Sequence, residues 1–349
     1  MSWVLVAVVV LAFVLNVVAP WLLSRVAIPF FEADAQLHAR AAKPDPAAEL
    51  SECRTADGLR LSLATWNRPS DGDAAAAPVV VFCPEAGGSK WTAAHYAAGL
   101  IADGVIVVSL DHRNVGESDT LPGYRPRHWL SDHEVNDVRA VVAAISADRL
   151  LKSRDIVLFG ISRGGCAAMY AASLDRTVHG VVADGVFPVR KLLMSYLDKW
   201  GTLKFPPWMM RAVPDWHLQL TLDFARMASG RRHGCRYLDL SGVLGRLRGR
   251  PFFLIAGKRD SYIPLELTEL VARQAGGGPE DVWAVPKAKH NHARESDPAT
   301  YDRRVRDFVR TVTGWRGRVN DRSGQARPAT EVRPLKAADS GATSLSRVV

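Results

Sequence analysis

At 349 residues, with 48% hydrophobic and 23% charged side chains, the chain has material for one large globular core or two smaller ones. Its net charge of +9 comes with no nucleic-acid-binding motif and no basic stripe interleaved with stacking aromatics, which excludes a nucleic-acid partner. The 4 cysteines, Cys53, Cys83, Cys166 and Cys235, have neither metal-ligand spacing nor the density of a disulfide framework.

Residues 3–23, WVLVAVVVLAFVLNVVAPWLL, carry no charge, and about 20 such residues cross a bilayer as a helix. Trp3 and Trp21 suit its two interfaces. No Lys or Arg precedes the run and no small-x-small site closes it, which favours a retained transmembrane signal-anchor helix over residues 1–25 against a cleaved signal peptide. Arg25, Arg40 and Lys43 follow the helix, a slight bias toward a cytoplasmic body. Residues 26–50, rich in Ala, Pro and charge, read as a linker that the rest of the chain does not need.

From residue 51 apolar runs alternate with helical patterns. Residues 52–66 read as a hairpin turning at Ala56-Asp57-Gly58, and 78–85, 105–113, 155–162, 178–187, 251–260 and 281–290 read as strands. Several are apolar throughout, as parallel strands covered on both faces are. Helical stretches fall near 91–103, 133–148, 163–174, 265–275 and 298–313, and the alternation implies an α/β fold with a parallel, doubly wound sheet. The core therefore comes in two parts, 51–187 and 251–314. Between them, 188–250 holds Trp200, Phe205, Trp208, Met209, Met210 and Trp216 beside many cations, too apolar for a plain loop, and reads as a mainly helical cap. Residues 315–349 turn polar and basic and read as a disordered tail.

One stretch carries chemistry. Gly160-Ile161-Ser162-Arg163-Gly164 matches G-x-S-x-G where an apolar strand gives way to a helix. At so sharp a turn any side chain at 160 or 164 would clash, and the helix that follows offers its N-terminal dipole and the Arg163 N–H. A lone serine is a poor nucleophile and needs a base with an orienting acid. Asp260 stands just beyond one strand and His290 just beyond the next; His292 is the alternative base. His112, His128 and His133 read as turn or surface residues. No His, Asp or Glu cluster has metal spacing, so neither a metal nor a cofactor is expected.

With these motifs, and with DHRNVGESD at 111–119, the sequence resembles the α/β-hydrolase superfamily over roughly residues 51–313, particularly membrane-anchored serine hydrolases grouped with S33-type peptidases and acyl-protein thioesterase relatives. Asn114 stands where that family usually has glycine. The resemblance implies a mostly parallel sheet of about eight strands, helices on both faces and a cap. It implies Ser162, Asp260 and His290 as a triad in the family's chain order, with Asp184 the second choice for the acid. It also implies an oxyanion hole of backbone N–H groups from Arg163 and from Glu85 or Ala86, since Pro84 has none to give. The family's usual His-Gly is replaced here by Cys83-Pro84-Glu85-Ala86-Gly87-Gly88, and a carboxylate at Glu85 opposes an oxyanion unless it turns away. The expected activity is cleavage of an ester or thioester of a small molecule or acyl lipid at a membrane. Peptide cleavage, or a non-catalytic binding protein on the same scaffold, are the alternatives.

Overall fold

The computed structural model describes residues 2–33, 40–70, 77–200, 206, 208 and 213–316. Nearly all of the expected tail, and Phe205, Met209 and Met210 of the expected cap, lie outside them.

The chain opens with one continuous helical rod: α1 (Ser2–Phe13), a π-helical turn (Val14–Val18) and α2 (Ala19–Glu32). β1 (Glu49–Arg54) and β2 (Arg60–Trp66) form the expected hairpin. Then follow β3 (Val79–Cys83), the short helices α3 (Ala93–Tyr96) and α4 (Ala98–Ala102), and β4 (Ile106–Leu110). Next come α5 (Asp132–Ala147), β5 (Ile156–Ile161), α6 (Arg163–Leu174) and β6 (Val178–Asp184). The cap region contributes α7 (Val189–Trp200) and α8 (Asp215–Arg232). The chain returns through β7 (Phe252–Gly257), α9 (Leu265–Ala275), β8 (Val282–Val285), α10 (Ala293–Ser296) and α11 (Pro298–Thr313).

The strands make one 8-stranded sheet in the order β1-β2-β4-β3-β5-β6-β7-β8. β2 pairs antiparallel with β1 and β4, and every other pairing is parallel. Successive side chains of a strand point to opposite faces, so β3 feeds two cores. Val79, Val81 and Cys83 join the core shared with α5 and α6, while Val80 and Phe82 join the one beneath α3, α4 and α11. Coverage on both faces is why β3, β4, β5 and β7 are buried at every position. The parallel strands all end on one edge, where Asp184 closes β6 and the segments holding Ser162, Asp260 and His290 gather.

The start of the chain corrects the sequence reading. The helix does not end at residue 25 but runs to Glu32, and 26–50 is not a free linker. Pro20, Ser24, Ile28 and Phe31, spaced to share one helical face, are buried, and α2 packs along α8. The C-terminal ends of the two helices meet where Glu32 faces His233 at 3.4 Å, so they run side by side in the same direction. Phe31 is 1% exposed. Its ring stacks on Trp129 at 5.1 Å, and the Trp129 Nε1–H donates to the Phe31 carbonyl at 2.7 Å. Farther on, the Trp66 indole donates to Asp45 at 2.8 Å, and Arg40 pairs with Glu295. A helix docked against protein along one face can be as apolar as one long enough to cross a membrane, which is why the contact was not legible. By contrast Val4 to Leu11 of α1 touch little and are mostly exposed.

Phe31 and its neighbour Phe30 offer a direct check. Phe31→Ala removes a fully enclosed ring and is expected to cost about 3–5 kcal/mol in denaturant unfolding of the detergent-solubilised protein. Phe30, 58% exposed, should change stability by no more than about 0.5 kcal/mol when cut to Ala. Equal, small effects would mean that the end of α2 is not docked.

Candidate active site

Ser162 sits between β5 and α6 with φ 52° and ψ −118°, a backbone conformation that costs a non-glycine residue of order 1–3 kcal/mol. The turn is tight enough that a Cβ at Gly160 would strike the backbone of Gly164, and one at Gly164 would strike the carbonyls of Cys83 and Pro84. The second contact draws the loop after β3 across the start of α6. From the other side, the Ser162 N–H donates to the Asp184 carbonyl at the end of β6, at 2.6 Å.

The Ser162 hydroxyl lies 2.9 Å from His290 Nε2, and His290 Nδ1 lies 2.7 Å from Asp260 Oδ2. A carboxylate can only accept, so the shared proton belongs on Nδ1 and Nε2 keeps its lone pair toward the serine. Asp260 is itself held: its Oδ1 accepts from the N–H groups of Tyr262 and Ile263, each at 2.8 Å. Both the His290 and Asp260 side chains are almost fully enclosed, 4% and 2% exposed. His292 points elsewhere, with its Nδ1 2.6 Å from Glu295 and its ring more than half exposed. Partial burial pulls its pKa below the usual histidine value.

Two further acids lie beneath the site. Asp184 does not reach His290 as a hydrogen-bond partner; its Oδ2 accepts from the Tyr301 hydroxyl at 3.1 Å. Burial pushes its carboxyl up to about 7, with the Tyr301 bond and nearby His290 opposing the shift. Glu85 is 2% exposed, and its carboxyl group turns toward the Arg40 N–H at 3.2 Å and the Thr92 hydroxyl at 3.4 Å. Burial raises its pKa, which favours the neutral form. The carboxyl at position 85 is thus engaged on its own neighbours and discouraged from carrying charge.

In front of Ser162 and His290 opens a cleft of about 430 Å³. Trp129, Phe187, Leu192, Tyr196 and Tyr262 form much of its lining, with His128 and Lys199 among them and Phe30 and Ala33 from the end of α2. Sequence reasoning missed the contributions of α2, Trp129 and His128. No local signal marked them, since residues on every face of so apolar a helix share the spacing of Pro20, Ser24, Ile28 and Phe31. His112 is a turn residue, its carbonyl accepting from the Val115 N–H at 3.0 Å, but a buried one, 2% exposed with Nδ1 3.4 Å from Asp137. Asn114, where glycine was the family expectation, adopts φ 61°, and asparagine is among the few other residues that tolerate it. Trp208 and Trp216 are 70% and 51% exposed. Among the described residues no group of three or more His, Cys, Asp or Glu side chains is placed to hold a metal ion.

A model of the alpha/beta hydrolase family matches residues 80–304. Among solved structures the chain is similar to the esterase Pf2001 of Pyrococcus furiosus, at 21% identity and TM-score 0.57, covering 81% of this chain and 100% of that one. It is similar to the alpha/beta hydrolase GrgF of Penicillium sp. sh18, at 16% identity and TM-score 0.55 over 76% and 99% of the two chains. The third is an esterase of Exiguobacterium antarcticum, at 17% identity and TM-score 0.50 over 74% and 99%. At such identities the likeness speaks for the fold. None of the curated proteins matches the sequence.

The buried Asp184 predicts a pH dependence of stability. An unfolded aspartate ionises near 3.8, whereas in the folded protein this one holds its proton to about 7. Between those values the folded state binds more protons, so the group's contribution to stability is present in acid and is lost as pH rises from about 4 to about 7. Unfolding measured across this range should show the stability of the unsubstituted protein falling relative to Asp184→Asn, by at most about 1.4 kcal/mol per pH unit, and levelling above pH 7. A pH-independent difference would contradict it.

Proposed function

We propose that this chain, which belongs to the alpha/beta hydrolase family, is a membrane-anchored serine hydrolase that cleaves carboxylic esters or thioesters through an acyl-enzyme on Ser162. The observation that carries the reading is the hydrogen-bonded series Ser162, His290, Asp260 at the mouth of an apolar cleft. His290 Nε2 takes the hydroxyl proton as Ser162 Oγ attacks the acyl carbon, then gives it to the departing alcohol or thiol. Asp260 holds the ring in the required tautomer and stabilises the imidazolium. Water then attacks the acyl-enzyme as His290 takes one of its protons, and His290 returns that proton to Ser162 Oγ as the acid departs.

The negative charge that develops on the carbonyl oxygen needs N–H donors. Arg163, first residue of α6, supplies one, with the helix dipole behind it, and Glu85 or Ala86 supplies the other. Two features favour this hole: the contact of Gly164 with the Cys83 and Pro84 carbonyls, and the turning of the Glu85 carboxyl group toward Arg40 and Thr92. The second also weakens the case for a non-catalytic scaffold. Esters are favoured over peptides by a cleft lined with rings and aliphatic side chains, and two of the similar structures are esterases. The anchor reading rests on the helix from Trp3 to Glu32, 30 residues long and apolar enough to cross a membrane, with its first turns largely exposed.

Kinetics on a nitrophenyl ester test the roles. His290→Ala should lower kcat by about 10⁴-fold or more, while His292→Ala stays within about threefold. Asp260→Asn should lower it by roughly 10³–10⁴-fold, and Asp184→Asn far less. Full turnover in His290→Ala, or the reverse ranking of the two aspartates, would overturn the assignment.

A further inference from the structure

The two faces of α2 have different fates. Pro20, Ser24, Ile28 and Phe31 are buried, mostly against the cap. On another face Leu22, Val26 and Phe30, spaced four apart and so stacked one above the other, are 47%, 51% and 58% exposed. No part of the described chain covers this stripe. Its lower end continues into the exposed apolar helix α1, and at its upper end Phe30 lines the cleft that holds Ser162 and His290.

Distances along the helix set the scale. If the hydrocarbon layer begins near Trp3, about 20 residues bring its far edge to Leu22 or Leu23. Arg25, its guanidinium 4.3 Å from the centre of the Trp21 ring, marks a polar boundary at the same level. Phe30 is then roughly 10 Å farther along the axis, at 1.5 Å per residue, a height within reach of the headgroup region. The position of Phe30 is also firm, because Phe31 beside it is clamped by Trp129 through both ring and carbonyl.

We propose that α2 is a wall of the substrate site as well as a tether: the Leu22–Val26–Phe30 stripe guides the acyl chain of a membrane lipid ester from the bilayer into the cleft, and Phe30 sets the preference for long chains. This rests on the serine-hydrolase reading and names its substrate class. An acyl chain is the occupant because the stripe is apolar throughout and continuous with the membrane-spanning segment. A soluble ester would have no use for that track.

The test uses the full-length protein in phosphatidylcholine vesicles, with nitrophenyl palmitate dissolved in the bilayer and nitrophenyl acetate in solution. The measured quantity is the ratio of the two kcat/KM values. Loss of one phenyl contact with a buried chain is worth about a tenfold fall, so Phe30→Ala should lower the palmitate-to-acetate ratio about tenfold. Val26→Ser should lower it severalfold, and Phe30→Leu should restore most of it. Met227→Ala, at an exposed apolar position on α8, serves as the control and should leave the ratio as it is. An unchanged ratio in Phe30→Ala and Val26→Ser would overturn the proposal, and so would an equal fall in Met227→Ala, while leaving the hydrolase reading intact. If the unsubstituted protein turns over neither ester, the serine-hydrolase reading fails and the proposal with it.

Discussion

Holding a serine at φ 52° at the end of a buried strand is unfavourable, and much of the surrounding structure exists to hold it there. Gly160 and Gly164 let two backbone segments touch, and the same contact brings the loop after β3 over the first turn of α6. The Asp184 carbonyl at the end of β6 receives the Ser162 N–H, which ties the turn to the neighbouring strand. The hydroxyl is thereby lifted off the sheet toward loops that follow β7 and β8, where Asp260 and His290 stand. Parallel pairing matters here because it puts all of these strand ends on one edge.

The acids around the site are handled in different ways. Asp260 is met by two backbone N–H groups and by the His290 ring, so each of its oxygens has a donor. Asp184 accepts from the Tyr301 hydroxyl, and burial shifts it toward its neutral form. Glu85 is buried as well and engaged by Arg40 and Thr92. The consequence is a site in which one carboxylate faces the imidazole while two others nearby are discouraged from charging. Arg40, a residue that composition alone placed in a linker, takes part in this arrangement.

The sheet was largely legible because its strands are short apolar runs bounded by Gly, Pro and charge, and buried parallel strands have little freedom to look otherwise. Ser162, Asp260 and His290 were legible for a local reason: Ser162 follows directly on such a strand and the other two stand in the short loops after β7 and β8, and the structure brings the three within hydrogen-bond distance in series. What the sequence hid are long-range facts. Phe30 and Phe31 are adjacent and chemically identical, yet one is 58% exposed at the cleft and the other 1% exposed against Trp129. The contacts of Phe31 with Trp129 and Tyr237, both far away in the chain, separate them. The Glu85 carboxyl group meets the backbone of Arg40, 45 residues away in the chain, and His128 shares its cleft with Phe30 and Ala33 of the distant N-terminal segment.

Reaction of the full-length protein with a fluorophosphonate probe, followed by peptide mass mapping, tests the central claim most directly. A serine whose proton is accepted by a positioned imidazole is expected to form one covalent adduct, on Ser162, that disappears in Ser162→Ala. A folded protein that takes up no probe, or takes it up at another residue, would contradict the account.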